Sequence, residues 1–161
     1  MLLLEKPLDS ISAEDIDELV INHIPEGDRL EYKRDMYGRN DEGRREMLRD
    51  ISAMANHRGG LILIGVDEDD EGTACAVQGV PQDDYVTWIG SVSLSGVDER
   101  IPGLRVVQVP LPTANVVVVV RVPESRNAPH MVTFKGLNQF WKRHGRQKLP
   151  MTVDEVGDTF L

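Results

Sequence analysis

The sequence predicts a single domain of the α+β (mixed α/β) class, with a central mixed β-sheet flanked by helices. Helix-spaced and strand-spaced hydrophobic segments alternate along the chain in the order helix, strand, helix, strands, helix, strands, helix. The 161 residues suffice for one sizeable core but not for two. A content of 40% hydrophobic and 28% charged residues is typical of a globular chain. Residues 1–161 are therefore expected to form one domain.

The first third of the chain is predicted to hold two helices around one short strand. Ser12 is a suitable cap for a helix that ends before Pro25. In the following segment, Arg29–Arg34, apolar and charged residues alternate, so Glu31 and Lys33 are expected to share a solvent-exposed face. A second helix is expected to begin near Asn40 or Asp41 and to end before Gly59-Gly60. Its apolar stripe consists of Met47, Leu48, Ile51, Met54 and Ala55, and its polar side carries Arg45 and Arg49 one turn apart.

The middle of the chain is predicted to contain a buried strand, a hairpin and a third helix. Leu61–Val66 is nearly all apolar, which is typical of a central strand covered on both faces. Asp67–Gly72 is expected to be a turn or loop and Thr73–Val77 a returning strand, followed by a helix over Pro81–Val97. Further strands are predicted at Leu104–Val109, Val116–Val122, Met131–Phe134 and Gln139–Arg143, and a last helix from a Thr152 cap to Phe160.

The charge of the chain is unevenly distributed. Eighteen Lys and Arg against 27 Asp and Glu give a net charge of −9, which taken alone argues against a nucleic-acid partner. By segment, residues 1–28 and 59–120 each carry −7, whereas residues 29–58 carry +2 and residues 121–148 carry +6. Phosphate binding needs a local positive surface rather than a positive total. The sequence thus leaves open either two basic faces in an acidic body or an ordinary solvated surface.

Several classes of protein are disfavoured by composition. A single cysteine, Cys75, excludes an internal disulfide framework and a cysteine-rich zinc site. The longest purely apolar run, Val116–Val120, is far shorter than a membrane span. The N-terminus lacks the basic start and long apolar region of a signal peptide. We therefore expect a cytoplasmic protein without a membrane partner.

Three carboxylates and a lysine are candidates for phosphodiester chemistry. Glu26 lies in the loop that leads into the strand carrying Glu31 and Lys33, and Asp67 lies at the end of the predicted central strand. If they converge, they form an oxygen-ligand site for Mg²⁺ or Mn²⁺, which can activate water and stabilise a phosphodiester under attack. The alternative is a surface ion pair of Glu31 with Lys33, with Asp67 in a solvated acidic loop.

A second candidate segment combines aromatic and basic residues. Phe140-Trp141 is followed by Lys142, Arg143 and Arg146 on a predicted strand and loop. This combination suits phosphate contact and base stacking. A core tryptophan flanked by surface charges is equally consistent with the same pattern.

The set of motifs resembles a known family, the Schlafen AlbA-like domain. Its signature is similar to three segments here, Leu30–Arg34, Ile51–Gly60 and Leu61–Asp67. Later segments also fit, and the resemblance extends from about Ser12 to Phe160. These later segments are Ile101-Pro102, Val120–Ser125, Ala128–His130, Gln139–Arg143 and Met151–Glu155.

The resemblance implies a mixed α/β nucleic-acid-binding domain, often the N-terminal part of a longer bacterial protein described as a transcriptional regulator or ATP-binding protein. In animal Schlafens, two such lobes form a clamp that cleaves structured RNA such as tRNA with three carboxylates and a divalent metal. Here the family pattern falls on Glu26, Glu31, Tyr32 and Lys33, with Asp67 as the third acid and Glu68 as its fallback. Because only one lobe is present, a clamp implies a homodimer, and the Schlafen zinc site is missing.

Three hypotheses follow, in order of preference. In the first, the domain binds RNA or DNA through the phosphate surface named below. In the second, it is an endoribonuclease in which Glu26, Glu31 and Asp67 hold Mg²⁺ or Mn²⁺ and Lys33 stabilises the phosphate. In the third, it is a regulatory module that binds a nucleotide or a protein. The phosphate surface of the first hypothesis consists of Lys33, Arg34, His130, Lys142, Arg143 and Arg146.

Overall fold

A computed structural model describes residues 3–161. Within that range there are four α-helices and eleven β-strands. The helices are α1 (Ala13–Ile21), α2 (Asp41–Ala55), α3 (Tyr85–Gly96) and α4 (Val153–Phe160). The strands are β1 (Leu30–Lys33), β2 (Gly60–Ile64), β3 (Val66–Glu68), β4 (Ala74–Val77), β5 (Val80–Pro81), β6 (Val97–Asp98), β7 (Arg105–Pro110), β8 (Asn115–Val122), β9 (Met131–Val132), β10 (Gln139–His144) and β11 (Gln147–Pro150).

A five-stranded mixed sheet forms the centre of the domain. Its order is β1-β2-β8-β5, and β7 pairs with part of β8. Only the β1–β2 pair is parallel among these five strands, because α2 connects the two as a crossover. From Leu61 to Ile64, the residues of β2 have no exposed surface, as expected for a strand covered on both faces. The single α+β domain class predicted from the sequence is confirmed.

The two faces of the central sheet bury two separate cores. Alternate β8 residues divide between them, because successive side chains point to opposite faces of a strand. Val118 and Val120 pack with residues of α2 and α3, whereas Val117 and Val119 pack with residues of α1 and the segment before it. The prediction of a helix-covered central sheet is therefore confirmed in detail.

Two smaller sheets flank the central one. One has the order β11-β10-β9-β6, with β10 lying against α2. The other is the antiparallel ribbon of β3 and β4, which leaves the central sheet at Gly65. Gly65 has a φ of +110° and lies against the backbone of Gly79, so a side chain is excluded there. The ribbon corrects the predicted Asp67–Gly72 loop, because Asp67 and Glu68 belong to β3.

Three of the four helices begin at the capping residues that the sequence predicted. Ser12 caps α1, with Asp15 completing a reciprocal capping box, and Thr152 caps α4 with Glu155 in the same way. The Asn40 side chain accepts a hydrogen bond from the backbone N–H of Gly43 at the start of α2. No helix in residues 3–161 has the length and apolarity to cross a membrane. The sequence missed the short strands β5, β6 and β11, which have little hydrophobic pattern of their own.

Candidate functional site

Glu31 is buried, although the alternation of β1 predicted a solvent-exposed position. The β10–β11 hairpin covers it and supplies two cations: Arg143 Nη1 lies 2.5 Å from Oε2 and Lys148 Nζ lies 2.8 Å from Oε1. Glu31 is only 5% exposed as a result. The prediction of a solvent-exposed face at Glu31 was wrong, because the alternation of apolar and charged residues carries no information about a hairpin more than 100 residues away in sequence.

Arg143 is committed to this contact and is not a surface residue. Its side chain is fully buried, and it donates to the carbonyl oxygens of Gly27 and Leu30 as well as to Glu31. A buried guanidinium with every branch hydrogen-bonded fixes the hairpin to β1. Arg143 is therefore removed from the predicted phosphate surface.

The buried polar network continues from Glu31 into α2. Lys148 Nζ lies 3.7 Å from Asp50 Oδ1, and the Tyr37 hydroxyl donates to Asp50 Oδ2 at 2.8 Å. Burial is the main cause that raises the pKa of Asp50 above its ordinary value. The network joins β1, α2 and β11, which are far apart in the sequence.

Glu26 lies beside a different acid from the one that the motif assigns first. Its Oε1 accepts the backbone N–H of Tyr32 at 2.8 Å. Burial is the main cause that raises the pKa of Glu26 to about 8; the neighbouring Glu68 and Glu31 contribute to this rise, and the Tyr32 contact opposes it. Glu68 Oε2 is buried and has no hydrogen-bond partner in the described part of the chain. The fallback Glu68, rather than Asp67, is therefore the acid that influences the pKa of Glu26.

The carboxyl groups do not form a ready metal site. Across residues 3–161, no group of three or more His, Cys, Asp and Glu side chains is arranged to hold a metal ion. Both oxygens of Glu31 are bonded to cations, and Glu26 favours its protonated form near neutral pH. In this arrangement the residues do not fit Mg²⁺ or Mn²⁺, and the catalytic and metal roles of Glu26, Glu31, Asp67 and Lys33 stay predictions.

His130 is a second predicted phosphate ligand that the structure places in the interior. It has no exposed surface. One ring nitrogen lies 2.6 Å from the carbonyl oxygen of Glu99, the other 2.6 Å from Ser125 Oγ, and its backbone N–H donates to Asn56. Both nitrogens are occupied, so His130 holds the loops around it together and is removed from the phosphate surface.

The remaining predicted cations are Lys33, Arg34, Lys142 and Arg146, and the three with recorded contacts have different partners. Lys33 pairs with Glu46 and sits over the Tyr37 ring. Lys142 binds both carboxylate oxygens of Glu155 in α4, at 2.8 and 2.6 Å. Arg146 donates to the carbonyl oxygen of Asp70 in the β3–β4 turn, and Arg34 is exposed after β1. None of these contacts joins one of the four residues to another.

A groove between α2 and β10 combines arginines with an aromatic ring. It has a volume of about 390 Å³, and we call it the α2–β10 groove. The Arg49 guanidinium lies 5.9 Å from the ring centre of the half-buried Trp141, within the range of a cation–π contact. Arg45 is exposed one turn earlier on α2. The lining residues are Glu42, Arg45, Glu46, Arg49, Val132, Leu137, Gln139 and Trp141.

The groove brings together the two basic segments of the sequence. Arg45 and Arg49 come from residues 29–58, and Trp141 comes from residues 121–148. The sequence predicted both features separately but did not assign the two arginines to a binding site. Their four-residue spacing on the polar side of α2 was the available signal. What was missing was the packing of β10 on α2.

Comparisons with known proteins give a family and two structural likenesses. The family model described as Schlafen, AlbA_2 matches residues 26–152. The N-terminal domain of a RecG-related protein from Nitrosomonas europaea, solved by NMR, aligns with a TM-score of 0.60 and 26% identity over 83% of this chain and 88% of that one. The crystal structure of the DIP2311 protein from Corynebacterium diphtheriae aligns with a TM-score of 0.61 and 16% identity, over 89% of this chain but only 27% of that one. No curated protein matches the chain.

Proposed function

Because the chain belongs to the Schlafen AlbA_2 family, we propose that it is a nucleic-acid-binding domain and that the α2–β10 groove is its contact surface. The observation that carries the proposal is the placement of Arg45 and Arg49 around the half-buried ring of Trp141. Guanidinium groups bind phosphate oxygens, and an aromatic face binds bases. The groove holds both kinds of group within one concave site.

The surroundings of the two arginines support this choice of surface. Within residues 3–161, Arg45 forms no ion pair. Arg49 forms one, in which its Nε lies 3.4 Å from Asp50 Oδ1. By contrast, Lys142 is held by Glu155 and Lys33 by Glu46. A cation that already has a carboxylate partner gains less from a phosphate, because the existing pair must first be broken. Arg45 is therefore the cation most available to a phosphate in this groove.

The structural likeness at 26% identity points in the same direction. That neighbour is the N-terminal domain of a protein whose name relates it to an ATP-dependent DNA helicase, and the present chain spans 88% of it. The neighbour's name supports a nucleic acid as the partner. The binding assay compares RNA with DNA.

The test measures the affinity of the full chain for short RNA and DNA oligonucleotides at several salt concentrations. We expect Arg45→Gln to weaken binding. The slope of log affinity against log salt should also become less steep, by about one released counterion for the phosphate contact that is lost. Arg44→Gln is the matched control, because Arg44 is the preceding α2 residue, lies outside the groove lining and pairs with Asp41 at 3.9 Å. Equal effects of the two variants, or no binding by the parent, would contradict the proposal.

A metal-dependent endoribonuclease is the second candidate function. The observation that favours it is that Glu31 and Glu68 both raise the pKa of the half-buried Glu26. Binding of Mg²⁺ or Mn²⁺ there requires Glu31 to release a cation and Glu26 to lose its proton. This candidate therefore needs a rearrangement that nucleic-acid binding does not.

Cleavage of tRNA in the presence of Mn²⁺ tests this candidate. If the carboxyl cluster is catalytic, Glu68→Gln abolishes cleavage and Asp67→Asn has the smaller effect, because Glu68 is the acid beside Glu26. Uncut tRNA with the parent protein, across pH 7 to about 9 where Glu26 ionises, eliminates cleavage while leaving the binding proposal standing. If free nucleotides raise the unfolding temperature and none of the oligonucleotides does, the regulatory module is favoured instead.

A further inference from the structure

The α2–β10 groove carries opposite charges in equal number, which limits what it can bind. Its two arginines face two carboxylates of the same lining, Glu42 and Glu46. The whole chain is also strongly acidic, with a net charge of −9. Binding to the backbone of a duplex depends on the release of many counterions, and this surface can release few. Most of the affinity must therefore come from contacts other than phosphate pairing.

The aromatic floor of the groove supplies such a contact. Trp141 packs against the core of the domain yet is only partly covered, so its ring is fixed rather than free to rotate away. Its backbone carbonyl is also held by Asn56 at 2.9 Å. A fixed aromatic face loses little conformational entropy when a base stacks on it, and the base takes the place over the ring that the Arg49 guanidinium occupies in the free protein, 5.9 Å from the ring centre. The bases inside a duplex are already stacked on one another and cannot present a face to this ring.

The polar groups around the ring suit the edge of a base. The Gln139 amide both donates and accepts hydrogen bonds, and the Glu42 carboxylate accepts from amino groups. Both residues are exposed, whereas Glu46 is committed to Lys33. The volume of about 390 Å³ is at the lower end of small-ligand sites. It is therefore suited to about one nucleotide rather than to a groove-long segment.

We propose that the α2–β10 groove captures an unpaired nucleotide of a single-stranded nucleic acid, with the base on Trp141 and a flanking phosphate on Arg45. The inference rests on the proposed function and narrows its substrate class to single strands, loops or splayed ends. Glu42 and Gln139 contact the edge of the base, so a base with an exocyclic amino group is preferred to one without.

The test compares one mixed-sequence oligonucleotide as a single strand and as a blunt duplex, by fluorescence anisotropy with the full chain. We expect the single strand to bind at least about tenfold more tightly, because every one of its bases can expose a face, whereas the blunt duplex exposes only its two ends. With two arginines at most on phosphates, the slope of log affinity against log salt should be about −1.4. A slope several times steeper, or a duplex that binds as tightly, overturns the inference.

Variants of the ring separate this inference from the proposed function. Trp141→Leu keeps an apolar side chain but removes the stacking face, and should weaken single-strand binding about fivefold or more. Trp141→Phe should retain most of the affinity. If Trp141→Leu folds by circular dichroism and binds like the parent while Arg45→Gln is weaker, the proposed function stands and the inference fails. If Trp141→Leu does not fold, the single-strand preference of the parent decides, and a parent that binds neither form contradicts both.

Discussion

Arg143 in β10 and Glu31 in β1 form a buried ion pair, with 2.5 Å between Nη1 and Oε2. The sequence assigned the two residues to different roles, Glu31 to a metal site and Arg143 to a phosphate surface. The structure joins them instead and adds Lys148 on the other oxygen of Glu31. The pair fixes the β10–β11 hairpin to the central sheet, and so positions Trp141, two residues before Arg143, against α2.

We expect Glu31→Gln or Arg143→Met to lower the free energy of unfolding by about 3–5 kcal/mol, because each leaves buried charge without its partner. Urea denaturation of both variants measures this effect. The double variant should lose less unfolding free energy than the two single variants lose in sum, because removing both partners leaves no unpaired charge behind.

Arg105→Gln is the control for this prediction. Arg105 pairs with Asp9 at 3.1 Å, but both side chains are more than half exposed. Exposed pairs contribute about 0–1 kcal/mol, so this variant should be close to the parent. A Glu31→Gln variant as stable as Arg105→Gln would mean that the buried pair does not hold the hairpin.

The contrast between Glu31 and Ser12 separates what the sequence could predict from what it could not. Ser12 and its capping partner Asp15 are three residues apart, and the spacing of polar and apolar residues that follows them is enough to place α1. Glu31 is covered by a hairpin that begins more than 100 residues later, so its burial depends on tertiary packing. Local pattern therefore predicted the elements well and the exposure of β1 poorly.

The candidate site divides along the same line. The motif assigned Glu26 and Glu31 to one site, and both Glu31 and the fallback acid Glu68 raise the pKa of Glu26. The choice between Asp67 and Glu68 depends on the irregular register that the β3–β4 pair has between these two residues, which no spacing rule reveals. The α2–β10 groove needed the docking of two distant segments and was not predicted.

The pKa of Glu26, raised by burial from 4.5 to about 8, predicts a pH dependence of stability. The folded protein binds a proton here more tightly than the unfolded chain does. The stabilisation that comes from this bound proton on Glu26 is therefore fully present below about pH 4.5 and is lost as the pH rises towards 8. We expect Glu26→Gln to be more stable than the parent at pH 8 and to show a smaller loss between pH 5 and 8 in urea denaturation.

Glutamine is a suitable replacement because its amide oxygen can still accept the backbone N–H of Tyr32. The control is Glu18→Gln, which removes the same charge from an exposed position on α1. If both variants change the pH profile equally, the effect belongs to net charge and not to the Glu26 site.

Two glycines should respond to alanine in opposite directions. Gly60 begins β2 with a φ of +151°, and a Cβ atom there would collide with the carbonyl group of Arg29. We expect Gly60→Ala to lose about 3 kcal/mol or more, through both strain and displacement of β1. Gly90 lies inside α3 with open space around it, so Gly90→Ala should gain about 1 kcal/mol. Thermal unfolding shows whether the unfolding temperature falls for Gly60→Ala and rises for Gly90→Ala. A Gly60→Ala variant as stable as the parent would contradict the tight approach of β1 and β2.

The stability of α4 depends on the cap at its first residues. Thr152 and Glu155 form the capping box of α4, and the same Glu155 carboxylate binds Lys142. Because α4 has no fully buried residue, its stability depends on this cap more than on packing. We expect Thr152→Ala to cost α4 about 1 kcal/mol, which accelerates exchange of its backbone amide hydrogens about fivefold while α2 is unchanged. Ser12→Ala, which removes the matching cap of the well-packed α1, should accelerate exchange in α1 and leave α4 as in the parent. Mass spectrometry of deuterium uptake compares the two, and equal protection of α4 in all three proteins would show that the cap does not hold the helix.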